Sequence, residues 1–116
     1  MTIILRGAYR VRPDQWQAVL DLIGEYRLIC EQLGIPHITF YRKVRAEDGS
    51  PTHTLHAEWR FDSWQDREAW AELVEANRDT LAFTLKLNQL LEERPTYENL
   101  ELLHPADRPY RRFVDV

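Results

Sequence analysis

The residues best suited to chemistry lie on a strongly alternating stretch that runs from His53 to Phe61. Within it, His56 and Glu58 are two positions apart, so both side chains project from the same side of a strand. A carboxylate beside an imidazole raises its basicity and orients it as a general base. This pair would suit proton abstraction next to a carbonyl group, as in a cyclase or an isomerase.

Other polar side chains occupy equivalent positions on the neighbouring predicted strands. The set that these strands would carry into one cavity is Arg6, Arg10, Tyr41, His56, Glu58 and Arg60. We predict His56, Glu58 and Tyr41 as catalytic residues, with Tyr41 donating to a ligand oxygen. The arginines would bind an enolate or a carboxylate. In the alternative interpretation, Glu58 forms a cross-strand ion pair with Arg6 or Arg10 at a dimer interface.

Metal or haem chemistry has little support in the same stretch. His53 and His56 are three positions apart and would point to opposite faces of a strand, so only His56 and Glu58 can converge. Two ligands are too few for a closed metal site, and we expect neither a metal nor another cofactor. Haem binding, with His56 or His104 as the axial ligand, is a minor alternative.

The four tryptophans and the single cysteine have both functional and structural interpretations. Trp16, Trp59, Trp64 and Trp70 could form a ligand cage, but their spacing on amphipathic elements is more typical of core residues. We expect Trp64 to lie nearest the rim and to contact a ligand. Cys30 falls on the apolar side of a helical pattern, which predicts a small buried hydrophobe rather than a nucleophile.

The elements that position these residues follow from the hydrophobic periodicity. Alternation with a period of two predicts strands, and apolar residues at three- and four-residue steps predict helices. The predicted strands cover residues 2–12, 37–45, 53–61 and 96–104. The predicted helices cover residues 13–33 and 64–94. Ser63 would cap the second, which we expect to break near residues 77–79, where Asp79 can cap a second segment. The order is that of the ferredoxin-like βαββαβ fold, an α+β architecture with both helices on one face of a four-stranded antiparallel sheet.

The other sheet face would be left uncovered by the chain itself. It would carry the apolar residues Ile4, Ala8, Tyr41 and Leu103. Burying a large side chain contributes roughly 1.5 to 3 kcal/mol, so a partner sheet would stabilise this face. A second copy of the chain is the simplest partner, and we predict a homodimer.

Length and composition restrict the remaining possibilities. The 116 residues suit one domain over residues 1–104, followed by a tail at 105–116. The formal net charge of −4 argues against nucleic-acid and anionic-membrane binding. Neither a leader nor a long apolar run is evident, so we expect a cytoplasmic protein. Apolar side chains in the tail, at Tyr110, Phe113 and Val114, predict that it docks on its own domain or on the partner, the alternative being disorder.

Several segments resemble the dimeric α+β barrel superfamily, and within it the NIPSNAP-like and antibiotic biosynthesis monooxygenase-like branch. These segments are residues 5–6, residues 9–13 (YRVRP), residues 48–51 (DGSP) and residues 59–70 (WRFDSWQDREAW), of which DREAW is the most specific. The resemblance implies two chains packed sheet against sheet, with a small hydrophobic or aromatic ligand between the sheets or between sheet and helices. Proteins on this scaffold include cofactor-independent monooxygenases, haem-degrading enzymes, polyketide cyclases and muconolactone isomerase, so the fold alone does not choose an activity.

Two functional hypotheses follow. The first is a small enzyme of the monooxygenase, cyclase or isomerase kind that acts on an aromatic or polyketide-like molecule with side chains alone. The second is a non-catalytic homodimeric binding or structural module whose interior is filled. A polar cavity containing His56 would favour the first hypothesis. Closure of the interior by Trp59 and Tyr41, with His56 and Glu58 held in ion pairs, would favour the second.

Overall fold

The structure is a computed structural model that describes residues 1–35 and 38–104. Its elements are β1 (Thr2–Arg10), a 3₁₀ turn (Pro13–Gln15), α1 (Trp16–Leu33), β2 (Thr39–Arg42), β3 (Thr54–Phe61), α2 (Trp64–Ala76), α3 (Arg78–Gln89) and β4 (Thr96–Leu102). The expected docking of the tail at 105–116 and the expected start of the second strand at His37 lie outside the described residues.

The four strands form one antiparallel sheet in the order β2-β3-β1-β4. Leu5 at the centre of β1 lies opposite Trp59 on β3 and opposite Asn99 on β4. This order confirms the ferredoxin-like fold predicted from the sequence. Strand β1 has a neighbour on both sides, whereas β2 and β4 form the two edges.

The core lies between the sheet and the helices, because one side of each central strand is apolar. The helix-facing side chains of β1 and β3 are nearly all buried, and they include Leu5, Tyr9, Leu55, Ala57 and Trp59. Helix residues complete this cluster: Val19, Leu22, Tyr26, Cys30, Phe83 and Leu87. The alternation predicted for the first and third strands is therefore the pattern that builds the core.

Helix α1 begins after Pro13 and ends at a glycine. Gly34 has φ 66°, a left-handed conformation, and its backbone N–H donates to the carbonyl oxygens of Cys30 and Glu31. A residue with a side chain is disfavoured in that conformation, so Gly34 provides the stop signal expected beyond a helix C-terminus. Cys30 is 1% exposed in this helix, and burial raises the pKa of its thiol. The interpretation of Cys30 as a small buried hydrophobe is confirmed.

The predicted break in the second helical segment separates α2 from α3. Asn77 lies between them, and its Oδ1 accepts hydrogen bonds from the backbone N–H groups of Asp79 at 2.9 Å and Thr80 at 3.0 Å. The break confirms the sequence prediction, although the cap is Asn77 rather than Asp79. Ser63 caps α2 as predicted, because its hydroxyl accepts from the backbone N–H of Asp66 at 3.1 Å.

Strand β4 corrects the predicted composition of the open sheet face. Its pairing with β1 puts Leu100 opposite Ile4 and Leu102 opposite Thr2, so these two leucines share the face turned away from the helices. Leu103 was expected on that face, but it follows the end of the strand and is 80% exposed. The run Leu-Glu-Leu-Leu at 100–103 fits either phase of alternation, which is why the pattern alone did not fix the face.

Three strand ends are also shorter than the periodicity indicated. Strand β1 stops at Arg10, and Val11 makes only an isolated bridge to Leu91. Strand β2 ends at Arg42, and β4 ends at Leu102 instead of His104. Within residues 1–35 and 38–104, no helix is both long and apolar enough to cross a membrane.

Candidate functional site

The predicted catalytic residues lie on the open face of the sheet, on the side away from the helices. His56 on β3 is opposite Ala8 on β1 and opposite Tyr41 on β2. Glu58 is opposite Arg6 on β1. The antiparallel register thus brings Arg6, Tyr41, His56, Glu58 and Arg60 onto one surface, which agrees with the side-chain alternation of the sequence.

Glu58 is engaged by arginines on this surface. Its Oε1 accepts a hydrogen bond from Arg60 Nε at 3.0 Å, and its Oε2 lies 3.7 Å from Arg6 Nη2. The Glu58 side chain is only 8% exposed, although it belongs to the uncovered face. The ion pair between Glu58 and Arg6 that the alternative interpretation includes is present, and the dimer interface in which that interpretation places it stays a prediction.

His56 has a different electrostatic environment from the one expected of a histidine activated by a carboxylate. Partial burial lowers its pKa below the usual 6.5, and the positive charges of Arg6 and Lys43 lower it further. Glu98 on β4 opposes this shift. The expected increase in the basicity of His56 is therefore wrong in direction, because burial, Arg6 and Lys43 together lower its pKa. His56 is neutral at physiological pH.

Arg10 and Trp64, both predicted to bind ligand, lie away from this group. Arg10 Nε is 3.2 Å from Glu92 Oε2, and Arg10 Nη1 is 3.9 Å from Glu93 Oε1, beyond the end of α3. Trp64 occupies the first position of α2 and donates from Nε1 to Glu68 Oε1 at 2.7 Å. It is 42% exposed, as expected for the outermost tryptophan. Among the described residues, no three His, Cys, Asp or Glu side chains cluster in a way that could hold a metal ion.

A cavity of about 300 Å³ lies on the opposite side of the sheet, between the strands and the three helices. Six of its sixteen lining residues are aromatic. The aromatic side chains that line it are Tyr9, Tyr26, Trp59, Trp70, Phe83 and Tyr97. Polar groups also reach it from three elements, among them Asn99 on β4, Arg67 on α2 and Thr80 on α3. The cavity contains none of the predicted catalytic residues, because these project from the other face of the sheet.

Two tyrosines in the cavity wall form a hydrogen-bonded pair. Tyr9 donates from its hydroxyl to the hydroxyl of Tyr97 at 3.2 Å, and the rings meet edge to face with centroids 5.8 Å apart. Burial raises the pKa of Tyr9 far above 10, and the neighbouring Tyr97 adds to this shift. Burial also raises the pKa of Tyr26. Tyr9 and Tyr26 are therefore neutral at physiological pH and offer hydrogen bonds rather than phenolate bases.

Two tryptophans in the wall have buried indole N–H groups without an acceptor among the described residues. Trp59 and Trp70 pack with ring centroids 5.5 Å apart, and the Nε1 atom of each is sealed from solvent. The Trp59 indole lies near the Tyr26 hydroxyl and opposes the rise of the Tyr26 pKa that burial causes, but the two groups do not meet in hydrogen-bond geometry. A buried donor without a partner costs about 1 to 3 kcal/mol. These two donors are polar groups that the folded chain leaves unsatisfied in an aromatic wall.

Arg67 stands at the rim of the cavity. Its guanidinium carbon lies 5.8 Å from the ring centroid of Trp64 and 5.7 Å from that of Trp70, within the range of cation–π contacts. Its Nε donates to Asn99 Oδ1 at 3.3 Å. Helix α2 and strand β4 are thereby linked at the cavity mouth.

The sequence pattern assigned some of the cavity residues to the core and did not single out the others. Tyr9 and Trp59 have the helix-facing phase of their strands, and Trp70 has the apolar phase of its helix, so periodicity correctly predicted that they pack inward. One feature of the sequence could have indicated this site, namely the number of tyrosines and tryptophans at inward positions. Both residue types carry a polar atom that needs a partner when buried.

The similarity of this chain to known proteins is a similarity of fold. No protein-family model matches the chain, and no curated protein matches it. Among solved structures, a NIPSNAP family protein from Agrobacterium tumefaciens is 21% identical, with 91% of this chain and 87% of that chain aligned at a TM-score of 0.63. A NIPSNAP-like domain protein from Burkholderia xenovorans is 16% identical, with 93% and 89% aligned at a TM-score of 0.68.

A third solved structure, described as an antibiotic biosynthesis monooxygenase, is 13% identical, with 88% of this chain and 99% of that chain aligned at a TM-score of 0.61. Structures of both kinds were expected from the sequence resemblance, which is confirmed at the level of fold. At these identities the similarity defines the α+β fold and leaves the activity open.

Proposed function

We propose that this chain binds a small aromatic or polyketide-like molecule in the cavity between the sheet and the helices. The observation that carries the proposal is the cavity itself, whose lining includes six aromatic side chains and several polar ones. Ligand pockets are typically concave and apolar, with a few convergent polar groups.

The size and the polar groups of the cavity restrict the ligand. Its volume of about 300 Å³ is at the lower end of the range of about 300 to 1,000 Å³ that is usual for small-molecule sites, which favours one or two fused rings. The Tyr9–Tyr97 pair and Asn99 supply both donors and acceptors at the β1–β4 side. We therefore expect a planar ligand that carries hydroxyl or carbonyl groups.

Calorimetry with 1-naphthol as the probe measures binding. Ala71 on α2 lines the cavity, so Ala71→Phe should fill it and abolish binding. Ala69 is on the same helix but exposed, so Ala69→Phe is the matched control and should bind as the wild type does. The proposal fails if the wild type binds neither 1-naphthol nor related one- and two-ring phenols and quinones, or if Ala71→Phe binds them equally well.

As a finer proposal, the chain is a cofactor-independent monooxygenase, cyclase or isomerase. The neutral tyrosines would donate hydrogen bonds to a ligand in the cavity, and His56 would accept a proton only from a ligand on the opposite sheet face. A homodimer that packs sheet against sheet would enclose that second location, with Tyr41 and Glu58 beside His56. Product analysis by mass spectrometry, after incubation with hydroxylated naphthalenes in air, tests for turnover. An unchanged ligand in the wild type would contradict catalysis on these compounds.

The second candidate function is a non-catalytic homodimeric binding or structural module. The specific observation in its favour is that both oxygens of Glu58 are taken by Arg6 and Arg60, which is the arrangement of a structural ion-pair network. On this proposal the open sheet face serves assembly, and the predicted catalytic residues contribute to the interface. On this proposal neither the wild type nor His56→Gln should turn over an aromatic substrate, and Glu58→Gln should weaken the dimer, which light scattering would detect.

A further inference from the structure

We infer that the ligand of the cavity is anionic, an aromatic carboxylate whose charged group binds to Arg67. This inference rests on the proposed function and specifies the class of ligand. It starts from the position of Arg67, which lines the cavity on the same face of α2 as Trp70 and Ala71. A positively charged side chain at the rim of the cavity favours a ligand that carries a negatively charged group.

The contacts of Arg67 hold the guanidinium without neutralising it. Within residues 1–35 and 38–104, no carboxylate forms an ion pair with Arg67 at 4.0 Å or less, whereas Arg6, Arg10 and Arg60 all have acidic partners. Its contacts are the two indole rings and the side-chain oxygen of Asn99. Arginine stacks well on aromatic rings because its planar cation is weakly hydrated. These contacts fix the side chain in advance and leave its charge for a ligand.

The donors that remain on Arg67 match a carboxylate. Asn99 uses Nε, so the two terminal nitrogens are left to donate two parallel hydrogen bonds, the geometry in which arginine binds carboxylates most strongly. The rings of Trp64 and Trp70 lie beside the guanidinium, and the lower polarity of aromatic neighbours strengthens an ion pair relative to one surrounded by water. The aromatic part of the ligand would then extend along the cavity past Trp59 and Trp70.

The acidic residue in the cavity wall lies at the other end. Glu75 is on the same helix, eight residues after Arg67, which corresponds to about 12 Å along the helix axis. The two side chains form no ion pair with each other. The cavity therefore has a positive end at Arg67 and a negative end at Glu75, and this polarity orients an anionic ligand with its charge toward Arg67.

The test compares 2-naphthoate with 2-naphthamide, two probes of nearly equal shape that differ in charge. Calorimetry should show that the wild type binds naphthoate at least tenfold more tightly, as expected for charge-assisted hydrogen bonds. Arg67→Gln should remove this preference by weakening naphthoate about tenfold while changing naphthamide little. Arg67→Lys keeps the charge and should retain part of the preference. Arg78→Gln, on the exposed start of α3, is the control and should retain all of it.

Three outcomes would overturn the inference. Equal binding of the two probes by the wild type would show that charge is not recognised, and the proposed function would survive. Equal weakening of both probes in Arg67→Gln, with an unchanged thermal midpoint, would show that Arg67 acts by packing alone. If the wild type binds neither probe and also fails to bind 1-naphthol, the proposed function fails with the inference.

Discussion

The ring of Tyr9 lies across Gly7, its neighbour two positions earlier on the same face of β1. A Cβ atom at position 7 would be 2.8 Å from the Tyr9 hydroxyl oxygen and 2.9 Å from Cε2 of its ring. Tyr97 is directly opposite Gly7 on β4. The absence of a side chain at Gly7 is therefore what lets the Tyr9 hydroxyl reach that of Tyr97 and form the hydrogen-bonded pair in the cavity wall.

Replacing Gly7 with Ala should destabilise the fold by about 1 to 3 kcal/mol, because the added methyl group displaces a buried ring in a packed core. The free energy of unfolding in urea measures this loss. Gly24→Ala is the matched control: position 24 is on the exposed side of α1 with open space around it, so alanine should stabilise by about 0.5 to 1 kcal/mol. A Gly7→Ala variant as stable as the wild type would contradict the close packing of Tyr9.

Asn77 should contribute about 1 kcal/mol of stability as the cap of α3, with a usual range of about 0.5 to 2 kcal/mol. Its side-chain oxygen accepts from the backbone N–H groups of Asp79 and Thr80, and Asn77→Ala would leave both without that acceptor. Urea unfolding of Asn77→Ala should show this loss. Asn77→Ser keeps an acceptor oxygen and should restore most of the stability. Equal losses in the two variants would mean that the cap is not the source of the effect.

The fold could be predicted from the sequence because its elements have strong and separate periodicities. Residues 55–61 alternate without interruption, and the capping residue Ser63 marks where a period of two changes to a helical period. The break between α2 and α3 was visible because apolar spacing changes phase at Asn77. The phase of β4 was the exception, since consecutive leucines at 102 and 103 do not distinguish the two faces.

The candidate site was less predictable because a cavity is a property of three-dimensional spacing. Periodicity assigns Trp59 and Trp70 to the interior, and they are there, but it cannot tell a filled interior from one with a gap of about 300 Å³. Sequence reasoning selected polar residues on strands, and the register does bring His56 and Glu58 onto one face. The sequence pattern did not show whether Glu58 would pair with His56 or with two arginines.

The proposed homodimer should depend on Leu100 and Tyr41, which are 38% and 44% exposed on the open sheet face. In a symmetric sheet-to-sheet dimer, Leu100→Glu or Tyr41→Glu introduces a charge from each chain into the buried apolar contact. Light scattering should then give a mass near 13.9 kDa for these variants and near twice that for the wild type. Leu28→Glu, at an exposed apolar position on α1, is the control and should leave the wild-type mass unchanged. A dimer that persists in both sheet variants would contradict sheet-to-sheet packing.

His56 should make the fold less stable in mild acid. Its pKa in the folded chain is lowered from 6.5, first by burial and then by Arg6 and Lys43, so the unfolded chain binds the proton more tightly. Stability is therefore unaffected by this group well above pH 6.5 and decreases as the pH falls through that value. The effect is small because the imidazole is partly exposed, and it is isolated by comparing the urea midpoints of the wild type and His56→Gln at about pH 7.5 and about pH 5. The wild type should lose more stability than His56→Gln, and Lys43→Gln should fall between them because one of the opposing charges is gone. A wild type that resists acid better than His56→Gln would show that protonated His56 is stabilised in the fold, the opposite of the environment that Arg6 and Lys43 create.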